Sequence, residues 1–292
     1  MRRATPLLPV LVAAALLVTG CGSETAGSRS TGTSGSSPSP VTDPGVDGVR
    51  ITGLSSPSPG SGTSDLSAAY EVVNDDTESL TYTVLFGFTT ASGEVMTKLS
   101  QTVRDVGPGR TVRRTVDMPT LVPGAHDVTR VKVSEVTSVP AAEAPAEPGD
   151  CPSSGINITT DEGDAAMGLR VVGLWLENCG TADYHVEGYP RLALLDEDRE
   201  PVDGVRILQG SGAITTAVTG SDDPPRPVTL KPGERARASL VWRNTTQAGV
   251  AVNVPYVRVR AKSGAAPFMV TPHLDLGTTG KLGVSPWQAE ER

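Results

Sequence analysis

The chain has 292 residues, which is enough for two ordinary domains. Gly and Pro make up about a fifth of it, and apolar residues nowhere keep helical spacing for more than two turns in the mature part, so turn-rich β structure is predicted. The formal net charge is −8 without a basic stripe, which argues against a nucleic-acid partner because such a chain repels phosphate backbones.

The first segment has the three parts of a secretory signal. Arg2 and Arg3 supply the positive end, residues 7–18 are apolar, and Val18-Thr19-Gly20-Cys21 resembles the bacterial lipobox. As a helix the apolar run spans about 18 Å, too short for a bilayer core of about 30 Å. We therefore expect residues 1–20 to be a lipoprotein signal peptide. The alternative is an ordinary signal peptide followed by a chance cysteine.

Lipidation of Cys21 would hold the mature chain on the extracytoplasmic face of the cell membrane. An acidic chain is repelled by an anionic membrane surface, so acyl chains on Cys21 rather than charge would provide the membrane contact. In residues 22–48, 20 of the 27 residues are Gly, Ser, Thr or Pro, and almost none is apolar. Residues 21–48 are therefore predicted to be the lipidated Cys and a disordered tether.

Residues 49–138 alternate apolar and polar side chains with the period of β-strands. In Leu80–Phe88, for example, every second residue is a large apolar one, so all of these share one face. The pattern predicts a first immunoglobulin-like β-sandwich. Its predicted strands are Val49–Leu54, Leu66–Val73, Leu80–Phe88, Val95–Val103, Thr111–Met118 and Val128–Val136.

A second β-rich stretch follows a short spacer. Residues 139–150 are rich in Pro, Ala and Glu, which predicts a fairly stiff linker. Residues 151–288 then predict a second sandwich, so the expected fold is all-β, with two antiparallel immunoglobulin-like β-sandwich domains. The predicted strands of this second domain are Gly168–Leu176, Tyr184–Val186, Arg191–Leu195, Val205–Leu208, Ala236–Trp242 and Tyr256–Ala261.

The two domains share a weak pattern. Asn-x-x-Thr occurs at Asn74 and Asn178, and a Pro-Gly pair precedes a later strand at Pro108 and Pro232. The separations are 34 and 54 residues, so the second domain would carry about 20 extra residues within 204–225. The pattern indicates either two related sandwiches or turn chemistry that any β protein reuses.

Four short motifs of the second domain occur in a recognisable order. They are Leu174-Trp175-Leu176-Glu177-Asn178-Cys179-Gly180, Glu187-Gly188-Tyr189-Pro190-Arg191-Leu192, Leu230-Lys231-Pro232-Gly233-Glu234 and Val284-Ser285-Pro286-Trp287. Together they resemble the domain-of-unknown-function family DUF4232 of actinobacterial secreted lipoproteins. The resemblance covers residues 151–288 and implies a β-sandwich at the cell envelope. It implies no catalytic residues.

Cysteines and aromatic residues give the candidate structural and surface sites. With Cys21 lipidated, Cys151 and Cys179 remain outside the reducing cytoplasm and are predicted to form a disulfide. A redox or nucleophilic thiol is the alternative, without a CxxC motif to support it. Tyr189 and Trp287 are candidate surface anchors, although packing against turns would also explain them. The other aromatic residues considered are assigned to the cores: Tyr82, Phe86, Phe88, Trp175 and Trp242.

Patterns for metal or catalytic chemistry are weak. The histidines His126, His185 and His273 lack zinc-ligand spacing, and Gly210-Ser211-Gly212 is the nearest approach to a nucleophile elbow. Calcium binding is left open at three acidic clusters, Asp161–Asp164, Asp196–Asp198 and Asp222–Asp223. We expect neither a cofactor nor a metal site.

These observations favour a non-enzymatic binding or structural module that is presented at the cell envelope. The partner would be an envelope protein or a cell-wall ligand. One alternative is an envelope hydrolase whose site forms only in three dimensions, and another is a carbohydrate- or peptidoglycan-binding protein. A ligand-binding accessory to a transporter ranks lower, because such proteins need larger lobes to close around a ligand.

Overall fold

The computed structural model describes residues 44–55, 66–119 and 128–290, together with the backbone of residues 39–40. Strands account for 52% of the structure and the described residues contain no α-helix, which confirms the all-β prediction. The immunoglobulin-like assignment stays a prediction. All described residues belong to one compact unit, Ser37–Arg292. Nothing helical in the described part of the chain is long and apolar enough to cross a membrane.

The N-terminal β region comprises residues 39–140 and contains two antiparallel sheets. Its strands are β1 (Ser39–Pro40), β2 (Val49–Ser55), β3 (Ser67–Val73), β4 (Leu80–Thr89), β5 (Val95–Val106), β6 (Thr111–Asp117) and β7 (Arg130–Pro140). One sheet has the order β1-β2-β3-β6 and the other β5-β4-β7. Every predicted strand of this region is present.

The core of this region contains the alternate apolar side chains that the period-two pattern predicts to be buried. Val84, Phe86 and Phe88 on β4 are fully buried, and Phe86 packs against Tyr70 of β3 with ring centroids 4.8 Å apart. Thr83, on the opposite face of β4, is exposed. Each buried side chain of this size contributes about 1.5–3 kcal/mol, so this one strand is a major source of stability.

The C-terminal β region comprises residues 151–290. Its strands are β8 (Ile156–Thr160), β9 (Asp164–Ala166), β10 (Leu169–Asn178), β11 (Tyr184–Val186), β12 (Arg191–Leu195), β13 (Arg206–Gln209), β14 (Val228–Leu230), β15 (Arg235–Arg243), β16 (Asn253–Val254), β17 (Tyr256–Arg260), β18 (Pro267–Val270), β19 (Leu274–Asp275), β20 (Lys281–Val284) and β21 (Gln288–Ala289). The short strands β8, β9, β14, β16 and β18–β21 are additional to those predicted.

The largest sheet of the C-terminal region has the order β13-β20-β15-β10-β8, with β9 on β10 and β21 on β15. The remaining sheets are β12-β17-β18, β11-β14 and β16-β19. All pairs are antiparallel except β13 and β20. Between the sheets lies one hydrophobic core that includes the predicted core residue Trp242, whose indole Nε1 donates to Asp275 Oδ1 at 2.7 Å.

A buried asparagine organises one end of the N-terminal region. The Asn74 side chain is fully buried and its amide donates to the carbonyl oxygens of Glu78 (2.8 Å) and Val106 (2.6 Å). Its Oδ1 accepts from the backbone N–H of Asp76. The Asn74 carbonyl accepts from Gly109 N–H in the Pro-Gly turn. One side chain therefore fixes both turns that bracket the strands β4 and β5.

Asn178 repeats this arrangement in the C-terminal region. It is 1% exposed, and its amide donates to the carbonyl oxygens of Ala182 (2.9 Å) and Leu230 (2.7 Å). Its Oδ1 accepts from Gly180 N–H, and its carbonyl accepts from Gly233 N–H. The partners stand at the same distances along the chain as those of Asn74, apart from the extra residues before the Pro-Gly turn.

The strand registers agree as well. Val73 pairs with Thr111 in the first region and Glu177 with Arg235 in the second, so the residue numbers rise by 104 on one strand and by 124 on its partner. The same two increments relate the pair Leu80–Val106 to the pair Tyr184–Leu230. The two regions therefore share one strand plan, with a 20-residue insertion in the second, and reuse of an isolated turn does not explain the repeat.

The linker at residues 139–150 packs against the protein instead of standing apart as a spacer. Its beginning belongs to β7, and a one-turn 3₁₀ helix follows at Ala141–Glu143. The Glu143 carboxylate accepts from Arg258 Nε at 2.7 Å, and Ala146 N–H donates to Asn157 Oδ1 at 2.9 Å. Side-chain contacts with the second region therefore hold the linker in place, and its prolines further restrict its backbone.

The predicted tether, residues 21–48, includes residues that pair with the first region. Ser39–Pro40 pair with Leu54 and Gly53 of β2 as a short edge strand. Pairing at a sheet edge uses only backbone groups, so a composition poor in apolar side chains does not prevent it. Cys21 and the tether residues 22–38 and 41–43 lie outside the described residues.

Candidate binding site

The two regions differ where a strand stops early. In the N-terminal region β5 accompanies β4 along its whole length, from the pair Leu80–Val106 to the pair Thr89–Val95. In the C-terminal region β14 has only three residues, and they pair with β11 alone. The residues before β14 are Pro224-Pro225-Arg226-Pro227, and proline has no N–H to donate to a sheet. β12, which continues the line of β11, therefore lies at the edge of its sheet.

The side of β12 that faces away from β17 is open at Leu192. This strand pairs with β17 on its other side, in the order β12-β17-β18. Val202 N–H donates to Leu194 O at 2.9 Å from the side away from β17. Because alternate residues of a strand direct their backbone polar groups to the same side, the N–H and C=O of Leu192 also face away from β17. No neighbouring strand pairs with them in the described part of the chain.

The insertion supplies a second strand edge. In β13, Arg206 N–H donates to Gly280 O at 2.8 Å, and Gly210 N–H donates to Val284 O at 2.7 Å, both toward β20. By the same alternation the backbone groups of Ile207 and Gln209 face away from β20. Strand β13 ends its sheet, and the side chain of Ile207 is 44% exposed.

Between these two edges lies a groove of about 560 Å³, which we call the strand-edge groove. Its volume lies in the range typical of ligand sites. Its lining residues come from the turn before β12, from β12 and β13, from the turn after β17, and from β20: Glu187, Tyr189, Pro190, Arg191, Leu192, Ile207, Leu208, Gln209, Lys262, Ser263 and Val284.

The charged side chains of the groove carry a net positive charge. Arg191 and Lys262 line it against a single carboxylate, Glu187, although the whole chain is acidic. Lys262 Nζ donates to His185 O at 2.6 Å and lies 4.4 Å from the ring centre of Tyr184. Arg191 is exposed and has no ion pair among the described residues. A negatively charged ligand would meet an unpaired guanidinium here.

The two predicted surface anchors have different positions. Tyr189 is half-buried and lines the strand-edge groove. The prediction of Trp287 as a surface anchor is wrong, because its side chain is only 1% exposed and belongs to the core of the C-terminal region. Its indole Nε1 donates to Ala261 O at 2.9 Å, so the polar end of the ring is satisfied inside the protein.

The prediction of Trp175 as a core residue is wrong, because its side chain lies on the outer face of β10 and is partly exposed. The guanidinium carbons of Arg235 and Arg237 lie 5.0 and 5.2 Å from its ring centre. Arg235 also pairs with Glu290, and Arg237 with Asp161. The ring is thus covered by cation–π contacts, which an apolar-pattern argument cannot distinguish from core packing.

The predicted disulfide between Cys151 and Cys179 is present, with the two Cα atoms 5.5 Å apart. It joins the residue at the start of the C-terminal region to the residue that follows Asn178. The bridge therefore secures the same chain end that the buried asparagine organises. Sulfur in a disulfide cannot act as a thiol nucleophile.

Each described histidine contacts one other side chain. His185 Nδ1 contacts Thr229 Oγ1 at 2.9 Å, and His273 Nε2 lies 3.2 Å from Glu135. The Ser211 hydroxyl is fully buried and shares a hydrogen bond with Ser221. His126 lies outside the described residues.

The acidic clusters use their carboxylates to form turns. Asp161 Oδ1 accepts from the backbone N–H of Gly163 and Gly173, and Asp196 Oδ1 accepts from that of Asp198 and Glu200. Asp222 Oδ1 accepts from Gly212 N–H. Across the described ranges, no group of three or more His, Cys, Asp or Glu side chains is arranged to hold a metal ion.

Residues of the groove that sequence reasoning missed are Leu192, Ile207 and Lys262. Their role comes from strand edges, which depend on which strands pair and not on the residues themselves. One sequence signal existed: Pro224, Pro225 and Pro227 directly precede a predicted turn and strand, and they imply that a strand cannot extend backward from Val228.

The fold and the groove define an all-β, sandwich-like protein whose C-terminal region carries an open sheet edge. Residues 151–288, slightly under half of the chain, match the family described as Domain of unknown function (DUF4232). The resemblance predicted from the four motifs is thereby confirmed. No curated protein matches the chain.

Proposed function

We propose that this chain is an exported lipoprotein, anchored through acyl chains on Cys21 at the extracytoplasmic face of the cell membrane, and that it acts there as a non-enzymatic binding module. The lipobox-like sequence before Cys21 and the apolar run of residues 7–18 support the anchor. The Cys151–Cys179 disulfide is consistent with an oxidising compartment outside the cytoplasm.

The observation that carries the binding role is the strand-edge groove. It offers backbone donors and acceptors on two sides, an exposed Ile207 and a net positive rim, which are the features of a recognition surface. An open sheet edge favours a polypeptide partner over a sugar, because the backbone of an extended chain can pair with the unpaired N–H and C=O groups of the edge. The partner is therefore proposed to be another protein of the envelope.

Photocrosslinking in living cells tests this binding role. A photoreactive amino acid at Tyr189, in the groove, should capture a discrete partner protein. The matched control places the same amino acid at Met167, whose side chain is 99% exposed outside the groove. Capture at position 189 alone supports the proposal. Equal capture at both positions, or no captured protein at either, contradicts it.

The anchor has its own test. The variant Cys21→Ala lacks the thiol that would be acylated, so the mature chain should lose its fatty acids and leave the membrane fraction. Mass spectrometry of the N-terminal peptide and fractionation of cells measure both effects. Unchanged membrane retention of the variant would contradict anchoring through Cys21.

A further inference from the structure

We infer that the strand-edge groove receives an extended, acidic polypeptide segment as an added strand, antiparallel to β12. This inference rests on the proposed binding function and deepens it, since it specifies the backbone geometry and the charge of the partner. Three independent features of the described residues support it: the strand plan, the free backbone groups and the charges.

The strand plan shows where the added strand belongs. In the N-terminal region Leu99 of β5 pairs with Phe86 of β4, and Thr97 pairs with Phe88. The increment of 104 places these two β4 positions at Pro190, directly before β12, and at Leu192 of β12. That place in the C-terminal region adjoins the strand-edge groove, because β14 begins only at Val228 and no strand pairs there among the described residues. The pairing of β4 and β5 is antiparallel, so the same orientation is expected for the added strand.

The backbone groups can bond such a strand. On β12 the N–H and C=O of Leu192, which lines the groove, face away from β17, and by the same alternation the C=O of Pro190 points to that side. On β13 the backbone groups of Ile207 and Gln209, which also line the groove, face away from β20. An extended peptide offers N–H and C=O groups alternately to both sides, so it matches an opening that has a strand edge on each side. Unpaired edges of this kind are templates for strand addition.

The side chains select for charge and for an apolar component. Arg191 and Lys262 at the rim favour carboxylates on the ligand. The local charge of the rim is positive, whereas the net charge of the whole chain is negative. Leu192 and Ile207 favour apolar residues facing into the groove. A peptide that alternates Val or Thr with Glu meets both requirements, because alternate side chains of a strand point to opposite faces.

The test uses three labelled peptides and the whole mature chain, with binding followed by fluorescence anisotropy. The first is a nine-residue peptide that alternates Val or Thr with Glu. The second has Lys in place of each Glu, and the third keeps Glu but carries N-methyl groups on alternate backbone nitrogens. We expect the acidic peptide to bind at least ten times more tightly than either of the others. The lysine peptide carries the opposite charge, and the N-methylated peptide lacks alternate backbone N–H donors.

Two proline variants test the edge of β13. Ile207→Pro removes an N–H that faces the groove and leaves the ladder with β20 intact, so it should weaken binding of the acidic peptide at least fivefold without unfolding the protein. Ile207→Val keeps the N–H and should bind normally. If Ile207→Pro does not fold, Gln209→Pro removes the next N–H on the same edge and replaces it in the test.

The charge is tested separately. The double variant Arg191→Glu, Lys262→Glu should lose most binding of the acidic peptide and gain binding of the lysine peptide. Arg130→Glu, at an exposed strand position of the N-terminal region, is the matched control and should change neither. Equal binding of the acidic, basic and N-methylated peptides would overturn the inference.

The outcomes separate this inference from the proposed function. If crosslinking at Tyr189 captures a partner but the acidic peptide fails to bind or Ile207→Pro has no effect, strand addition is overturned and the binding role survives. If crosslinking captures nothing, the proposed function itself fails. A captured protein identical to this chain would replace the envelope partner with self-association and would also overturn the inference.

Discussion

The two β regions share a framework but differ at one sheet edge. In the N-terminal region the 12-residue β5 lies beside β4 throughout, whereas in the C-terminal region three prolines directly precede β14, which has only three paired residues. The insertion that follows β12 builds β13 on the far side of the resulting gap. The comparison teaches that a groove between two strand edges can arise in a sandwich-like fold when one strand is shortened.

A second difference lies on the outer faces of equivalent strands. Glu71 of β3 pairs directly with Arg113, and Trp175 of β10 pairs directly with Arg237, at positions related by the same numbering increments. The first pair is an ion pair, in which Arg50 also joins Glu71, and the second is a cation–π contact. The framework thus fixes where an arginine lies and leaves its partner free to vary.

The largest effect is expected from the shared asparagines. Asn74→Ala and Asn178→Ala should each lower the free energy of unfolding by about 3–5 kcal/mol, because each leaves several backbone groups unpaired in a buried site. Chemical denaturation of the two variants measures this. A cost below about 1 kcal/mol at either position would break the claim that the two regions share one framework.

Removal of the disulfide should follow in size and should affect only the C-terminal region directly. The chain-entropy argument gives about 3–4 kcal/mol for the double variant Cys151→Ser, Cys179→Ser. The denaturation midpoint measures the loss, and Trp fluorescence reports on the C-terminal region, where Trp175, Trp242 and Trp287 lie. A variant as stable as the parent would show that Asn178 and the core hold this chain end without the bridge.

The outer-face pairs should each contribute about 1 kcal/mol. Glu71→Gln should cost less at high salt, because Arg50 and Arg113 are exposed and their attraction to the carboxylate is screened. Trp175→Ala should cost about the same at low and high salt, because much of its loss is apolar contact. Equal salt dependence of the two variants would remove the distinction between the pairs.

The smallest effect concerns an ion pair between the two regions. Arg199, in the turn formed by Asp196, contacts Asp76 and lies 3.2 Å from Glu78. A hydrogen bond from Thr77 N–H, with Arg199 as a further cause, lowers the pKa of Asp76 below its ordinary value. The ionised form therefore stabilises the fold above the unfolded pKa of about 4, and this contribution disappears as the pH falls through the lower folded pKa.

Replacement of that carboxylate should therefore flatten part of the acid dependence. Asp76→Asn should cost less than about 1 kcal/mol at neutral pH and lose less stability than the parent on acidification. Thermal unfolding between pH 7 and about pH 3 compares the two chains. An unchanged pH dependence in the variant would show that the contact between Arg199 and Asp76 contributes nothing to the fold.

Periodicity and turn residues predicted the fold class and most long strands, because a half-buried strand such as Leu80–Phe88 shows its buried face directly in the sequence. They did not predict the short strands β14 and β21, whose two or three residues carry no period. The Asn-x-x-Thr pattern at Asn74 and Asn178 leaves the relation between the regions open in the sequence, since a hydrogen-bond network is visible only when both turns are in place.

The site was less predictable than the fold. Tyr189 could be predicted as a site residue because it is an aromatic residue in a turn. The burial of Trp287 could not be predicted, because an aromatic residue after the last long strand gives no indication of its burial. The groove depends on the edges of β12 and β13, and an edge is a property of pairing between distant segments. Only the prolines before Val228 marked it in the sequence.

Residue-resolved amide hydrogen exchange of the mature chain, with and without the acidic peptide, tests the central claim most directly. The account predicts that the amide protons of Leu192 and Ile207 become strongly protected on binding, while the amide proton of Thr83 in the N-terminal region is unaffected. Binding that leaves Leu192 and Ile207 exchanging at their original rates would contradict the claim that the open edges of β12 and β13 receive an added strand.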